Sequence, residues 1–182
     1  MKAVAQMNRL ELAAIGAALS KKGVEVVLSG GSCVSIYSED RYVSMDIDFV
    51  NVHFAKRSMI KTVMEELGFS ERNRYFEHPE TELLIEFPPG PLGVGDEQAK
   101  QIDTIETETG VLKLLSPTDC VKDRLAWYYH DNDTECLEQA ILVANSNGID
   151  FDEIARWSKH EGKASDFAKI KSRLVRGASC TA

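Results

Sequence analysis

The chain has 182 residues, enough for one domain with a proper core, or one domain with a small helical extension. Its 21 basic residues stand against 29 acidic ones, and the formal charge of −8 argues against extended DNA binding through a basic face. Hydrophobic content of 43% is ordinary for a globular protein, and no stretch reaches the roughly 18 apolar residues of a membrane span.

Cys33, Cys120, Cys136 and Cys180 form no CxxC pair, and His53, His78, His130 and His160 lack metal-ligand spacing. Reduced thiols in a cytoplasmic protein are the expectation, not a disulfide or zinc framework. The first residues mix Gln6, Asn8, Arg9 and Glu11 into their apolar stretch, unlike a signal peptide.

Leu12, Ile15 and Leu19 give one apolar helical face, stopped by Gly23. A strand is expected at Val24–Leu28, then a Ser29-Gly30-Gly31 turn and a short helix capped by Ser32 and running to about Tyr37. Ser44–Val50 reads as a second strand. Ile60, Val63, Met64 and Leu67 follow the i, i+3, i+4, i+7 pattern of an amphipathic helix ended by Gly68. Arg74–Glu77 and Glu82–Phe87 read as strands around a His78-Pro79-Glu80 turn. Residues 88–95 hold three prolines and three glycines and are expected to form a loop without regular structure. Its position makes it a candidate border of an acceptor site. Ile102–Glu106 and Val111–Leu115 read as a hairpin. From Ser116-Pro117, a helix start, the texture is helical to about Leu174. The expectation is a core over residues 1–115 and a helical region over 116–182 packed on it.

Two features carry chemistry. Gly30, Gly31 and Ser32 open a helix directly after an apolar strand. Backbone N–H groups at a helix start favour an anion, and glycine permits close approach of a phosphate. Asp46 and Asp48 are stronger. Asp is depleted in strands, and residues two apart share a face. At about 5 Å and an effective dielectric of about 20, two such charges repel by roughly 3 kcal/mol. A bound Mg²⁺, which prefers carboxylate oxygens, removes that repulsion. A second ion needs a third acid, and Glu86, embedded in the apolar strand Leu83–Phe87, is the candidate. Glu82 and Glu77 are its competitors.

A strand ending in Gly-Gly-Ser, a short helix, an Asp-x-Asp strand and an acid on a later strand resemble the nucleotidyltransferase superfamily, the fold shared with DNA polymerase beta. The resemblance is closest to small prokaryotic AbiE toxin-like and minimal nucleotidyltransferases. Residues 116–125 also look like the helix start that follows the catalytic sheet there. The fold class expected is α+β, a mixed β-sheet flanked by helices with a helical C-terminal region. The resemblance implies two Mg²⁺ ions, with Mn²⁺ as a substitute, held by Asp46, Asp48 and Glu86. Gly30, Gly31 and Ser32 would hold the β and γ phosphates of a nucleoside triphosphate such as ATP, and Lys122 and Arg124 would be charge partners for it. Solvated helix charges paired with Asp119 or Asp123 are the competing reading of those two. The acceptor would be a hydroxyl on a protein, an RNA end or a small molecule. A toxin role implies an antitoxin, and a homodimer partner is the other partner expectation. A non-catalytic nucleotide-binding or regulatory module of the same fold is the alternative. Trp127, Tyr128 and Tyr129 could stack on a base, although such a stripe is more often core.

Overall fold

Leu12, Ile15 and Leu19 are buried along one face of α1 (Arg9–Lys21), as their helical spacing requires. The structure, a computed structural model, describes residues 9–175. Cys180 and the first eight residues lie outside the described residues. The chain divides into two units. The first draws on residues up to Ser32, Ser44–Leu92 and Ile102–Leu114, and the second on Cys33–Val43, Gly93–Gln101 and the residues from Leu115 on.

The first unit is built on a seven-stranded mixed sheet. Its strands in chain order are β1 (Val26–Ser29), β2 (Asp46–Asn51), β3 (Ser70–Arg72), β4 (Tyr75–Glu77), β5 (Leu84–Glu86), β8 (Ile102–Thr107) and β9 (Gly110–Leu115). Their order in the sheet is β3-β4-β5-β2-β1-β9-β8. β2 runs antiparallel to β1 and parallel to β5, and β1 runs parallel to β9. α1 packs on β1 and β8 and against α3 (Arg57–Glu66). Ile60, Val63 and Met64 are the buried face of α3, which ends before Gly68 at φ +91°. The sheet is locked by a buried rank, Phe76, Ile85 and Ile47, that are register partners across β4, β5 and β2. Phe87 adds to it, stacked on Phe49 at 6.0 Å and edge-on to Phe76 at 5.5 Å.

Three local expectations change. No turn separates β1 from the following helix: α2 (Gly30–Tyr37) begins at the residue after Ser29, because Gly30 at φ +66° turns the chain in one step. β3 is a strand without apolar alternation. It forms because Asn73, at φ +57°, folds Ser70–Arg72 back onto β4. The Pro/Gly segment is partly regular, with β6 (Gly93–Val94) pairing antiparallel with β7 (Glu97–Gln98) around Gly95.

The second unit holds α4 (Pro117–Asp131), α5 (Thr134–Ser146), α6 (Phe151–His160) and α7 (Ala164–Val175). Ser116, Asp133 and Asp150 cap the first three through side-chain oxygens that accept from Asp119, Cys136 and Glu153 N–H groups. Leu125, Leu137, Ala140, Ile154, Phe167, Ile170 and Leu174 are buried, as is Trp157, whose indole N–H donates to the Val94 carbonyl. Cys33, Cys120 and Cys136 are buried, and none of them is in a disulfide among the described residues. Among the described residues no helix is long and apolar enough to cross a membrane.

Candidate functional site

The parity argument for β2 holds at its open end. Ile47 and Phe49 are 2% and 0% exposed, while Asp46 is exposed and Asp48 is half-buried on the other face. Register then builds a rank across four strands: Tyr75 of β4 opposite Glu86 of β5, Glu86 beside Asp48 of β2, and Asp48 opposite Ser29 of β1. Cross-strand partners share a face, and three strand spacings of about 4.8 Å make the rank roughly 14 Å long. Glu82 is exposed and lies outside β5, and Glu77 sits farther along β4 opposite Ser70. Of the three acids considered, Glu86 is the one beside Asp48.

The start of α2 lies against this rank. A Cβ at Gly30 would stand 2.4 Å from Asp48 Oδ2, so this carboxylate occupies the space that glycine leaves open. Ser32 does not act as a cap. Its hydroxyl donates to the Asp46 carbonyl at 2.8 Å, and the Ser44 hydroxyl donates to the same oxygen at 2.8 Å. The backbone at the head of β2 is therefore tied from both sides, while the Asp46 side chain stays open to solvent.

Arg74 was not singled out by the sequence reading. It sits in the tight turn between β3 and β4, and its Nε lies 3.3 Å from a Glu86 oxygen. Its guanidinium also stacks over the Tyr75 ring at 4.9 Å and donates to the Tyr75 hydroxyl at 2.6 Å. The Arg74 pKa is held above the usual guanidinium range, first by the Tyr75 hydroxyl, then by the charge of Glu86, with a smaller share from Asp48. Only an arginine directly before a strand, with an acid in the next strand, could have hinted at the contact.

Lys122 and Arg124 lie in the second unit. Lys122 is 0% exposed, and its ammonium donates to Asp119 at 2.8 Å and Glu153 at 3.1 Å. Asp119 in turn accepts from the Lys100 and Gln101 N–H groups. Arg124 donates twice to Asp123, at 2.6 and 3.0 Å, and that pairing keeps its pKa raised against the opposing effect of burial. Both cations are paired as the competing reading had it, but Lys122 is buried, not solvated. Tyr129 is core, stacked on Trp157 at 5.8 Å, and burial pushes its hydroxyl up to about 12. Trp127 is exposed.

No family model matches the chain, and no curated protein matches it. Three solved structures do. The crystal structure of an antigenic nucleotidyltransferase-like protein from Paracoccidioides brasiliensis aligns over 91% of both chains, with a TM-score of 0.62 and 14% identity. The solution structure of the antibiotic-resistance factor ANT(2'')-Ia covers 88% of this chain and 91% of its own, with a TM-score of 0.50 and 20% identity. ANT(2'')-Ia in crystalline complex with adenylyl-2''-tobramycin covers 86% and 94%, with a TM-score of 0.50 and 18% identity. The fold is nucleotidyltransferase-like. In this nucleotidyltransferase-like sheet, the donor set of the acid face suits a hard cation: Asp46 and Asp48 share it, and Glu86 is the strand neighbour of Asp48. Among the described residues, however, no three His, Cys, Asp or Glu side chains are gathered as a metal cage. Glu86 is the acid turned elsewhere, toward Arg74.

Proposed function

We propose that the chain transfers a nucleoside monophosphate from a nucleoside triphosphate to a hydroxyl acceptor. The observation that carries this reading is the position of Asp48, with Gly30 at the start of α2 against its carboxylate and Glu86 beside it on β5. Asp46 and Asp48 would hold Mg²⁺, or Mn²⁺ in its place, and Glu86 would serve a second ion. When bound, such ions lower the pKa of an attacking hydroxyl and stabilise the departing pyrophosphate. The positive end of α2 would orient the β and γ phosphates at Gly30, Gly31 and Ser32. Gly30, having no Cβ, lets the Asp48 carboxylate lie against that helix start. Glu86 would take the proton of the acceptor hydroxyl as its oxygen bonds to the α-phosphorus and the bond to pyrophosphate breaks.

A chain of charge −8 suits a neutral or cationic small acceptor better than a polyanionic one. The fold neighbour bound to adenylyl-2''-tobramycin supports the same choice. A protein or RNA acceptor, with an antitoxin as partner, is the use that AbiE-type resemblance suggests instead. One observation favours a non-catalytic nucleotide-binding module, namely the engagement of Glu86 by Arg74.

Thermal unfolding with Mg²⁺ and each of the four ribonucleoside triphosphates, run beside Asp46→Asn, tests the site. At about 100 times Kd, binding adds roughly 2.7 kcal/mol, or about 5–11 °C in Tm for a chain of this size. The expected result is a cation-dependent rise lost in the variant, with label moving from an α-labelled triphosphate to a hydroxyl compound. A rise without transfer selects the non-catalytic module, and no rise overturns both.

A further inference from the structure

We infer that Arg74 is a displaceable counter-ion of the acid face: it neutralises Glu86 when no divalent cation is bound and releases it when one binds. The inference rests on the reading of Asp46, Asp48 and Glu86 as cation ligands. Three observations carry it. First, Arg74 reaches Glu86 from a neighbouring turn, so its side chain can leave without moving a strand. Second, the pair is open to water, with Arg74 68% and Glu86 23% exposed. Exposed pairs are weak, and a doubly charged ion between carboxylates outcompetes a single guanidinium. Third, Arg74 has a second seat. Its stacking on the Tyr75 ring and its bond to the Tyr75 hydroxyl do not involve Glu86 and remain when Glu86 turns away. The third acid is thus present in register but masked, and the mask is a side chain with somewhere else to go.

The consequence is that Arg74 lowers the affinity of the resting protein for divalent cations. Mn²⁺ titration of the full chain, read by the loss of the free-ion paramagnetic resonance signal, measures this directly. Arg74→Ala should bind Mn²⁺ about two- to fivefold more tightly than the parent, with Arg74→Lys between them. The gain should vanish when Glu86→Gln is present in the same chain, because the arginine acts through that carboxylate. Arg74→Gln, which keeps the aliphatic stem, repeats the measurement if the alanine variant is misfolded by circular dichroism. Equal or weaker Mn²⁺ binding by both neutral variants overturns the inference while leaving the cation site standing. A gain that survives Glu86→Gln overturns it too. Absence of Mn²⁺ binding in the parent and in every Arg74 variant overturns it together with the cation-ligand reading beneath it.

Discussion

Gly30→Ala separates backbone strain from the placement of Asp48. Any Cβ at φ +66° costs about 1–2 kcal/mol in the left-handed region, partly offset by about 0.4–1 kcal/mol through the stiffer unfolded chain. Gly23 supplies the control. It sits at φ +77° in the same unit, and a Cβ there meets nothing within 4 Å. Gly23→Ala therefore registers the conformational cost alone. At Gly30 the new Cβ would also stand 2.4 Å from Asp48 Oδ2 and 3.4 Å from its Cγ, so the carboxylate must swing off the start of α2. Forcing a group into occupied space costs about 1–3 kcal/mol. Gly30→Ala should then lose about 1–3 kcal/mol more than Gly23→Ala in urea unfolding, or roughly 2–12 °C in Tm. It should also lose Mn²⁺ binding, which Gly23→Ala should keep. Equal stability losses with Mn²⁺ binding intact in both would refute the view that Gly30 exists to seat Asp48.

Asp48→Asn should abolish transfer and leave Tm unchanged or raised, since it relieves the repulsion with Asp46; normal transfer by this variant would sink the proposed role of the pair. Lys122→Met should cost about 3–5 kcal/mol in urea unfolding by leaving Asp119 and Glu153 without their shared cation, and a loss below about 1 kcal/mol would show that the buried pair is not needed. Acid stability follows Glu153, whose carboxyl is held below its ordinary range chiefly by Arg156, with Lys100 and Lys122 adding to it against the effect of burial. A depressed folded value gives stability that is complete above the unfolded value of about 4.3 and lost as pH falls through the folded one. Glu25 and Glu97 act with the same sign. Unfolding midpoints should fall below about pH 4.5, and Glu153→Gln should flatten that acid limb; an unchanged slope in the variant would remove Glu153 from the account.

What was legible in the sequence was periodic or local. Ile60, Val63 and Met64 show α3, Ser116-Pro117 shows the start of α4, and the alternation of Asp46 and Asp48 with Ile47 and Phe49 shows which face of β2 is open. What was not legible depends on partners far along the chain. Ser70–Arg72 carries no strand signal of its own and becomes β3 through pairing with β4. Lys122 and Asp119 are a visible i, i+3 pair, yet nothing near them announces Glu153 as the second carboxylate. Arg74 and Glu86 meet only because β4 and β5 pair with Tyr75 opposite Glu86. At Gly30 the sequence named the right residue for the wrong geometry. Its glycine serves a strand-to-helix step and a carboxylate contact, where a Gly-Gly turn was expected.

The acid face is fixed by the opposite side of the same strands. Phe76, Ile85 and Ile47 are consecutive register partners at 0%, 0% and 2% exposure, and they sit one residue along from Tyr75, Glu86 and Asp48. A slip of one residue in β2 would put Asp46 and Asp48 where Ile47 and Phe49 now lie. It would bury two carboxylates and expose two large apolar side chains, each worth about 1.5–3 kcal/mol of burial. The hydrophobic set therefore enforces the rank Tyr75, Glu86, Asp48 and Ser29 without touching it. None of these four side chains belongs to the buried hydrophobic set. That separation is what would let two like charges persist side by side on β2, and what would let Arg74, which reaches Glu86 from a turn and not from a strand, act as the displaceable partner inferred above.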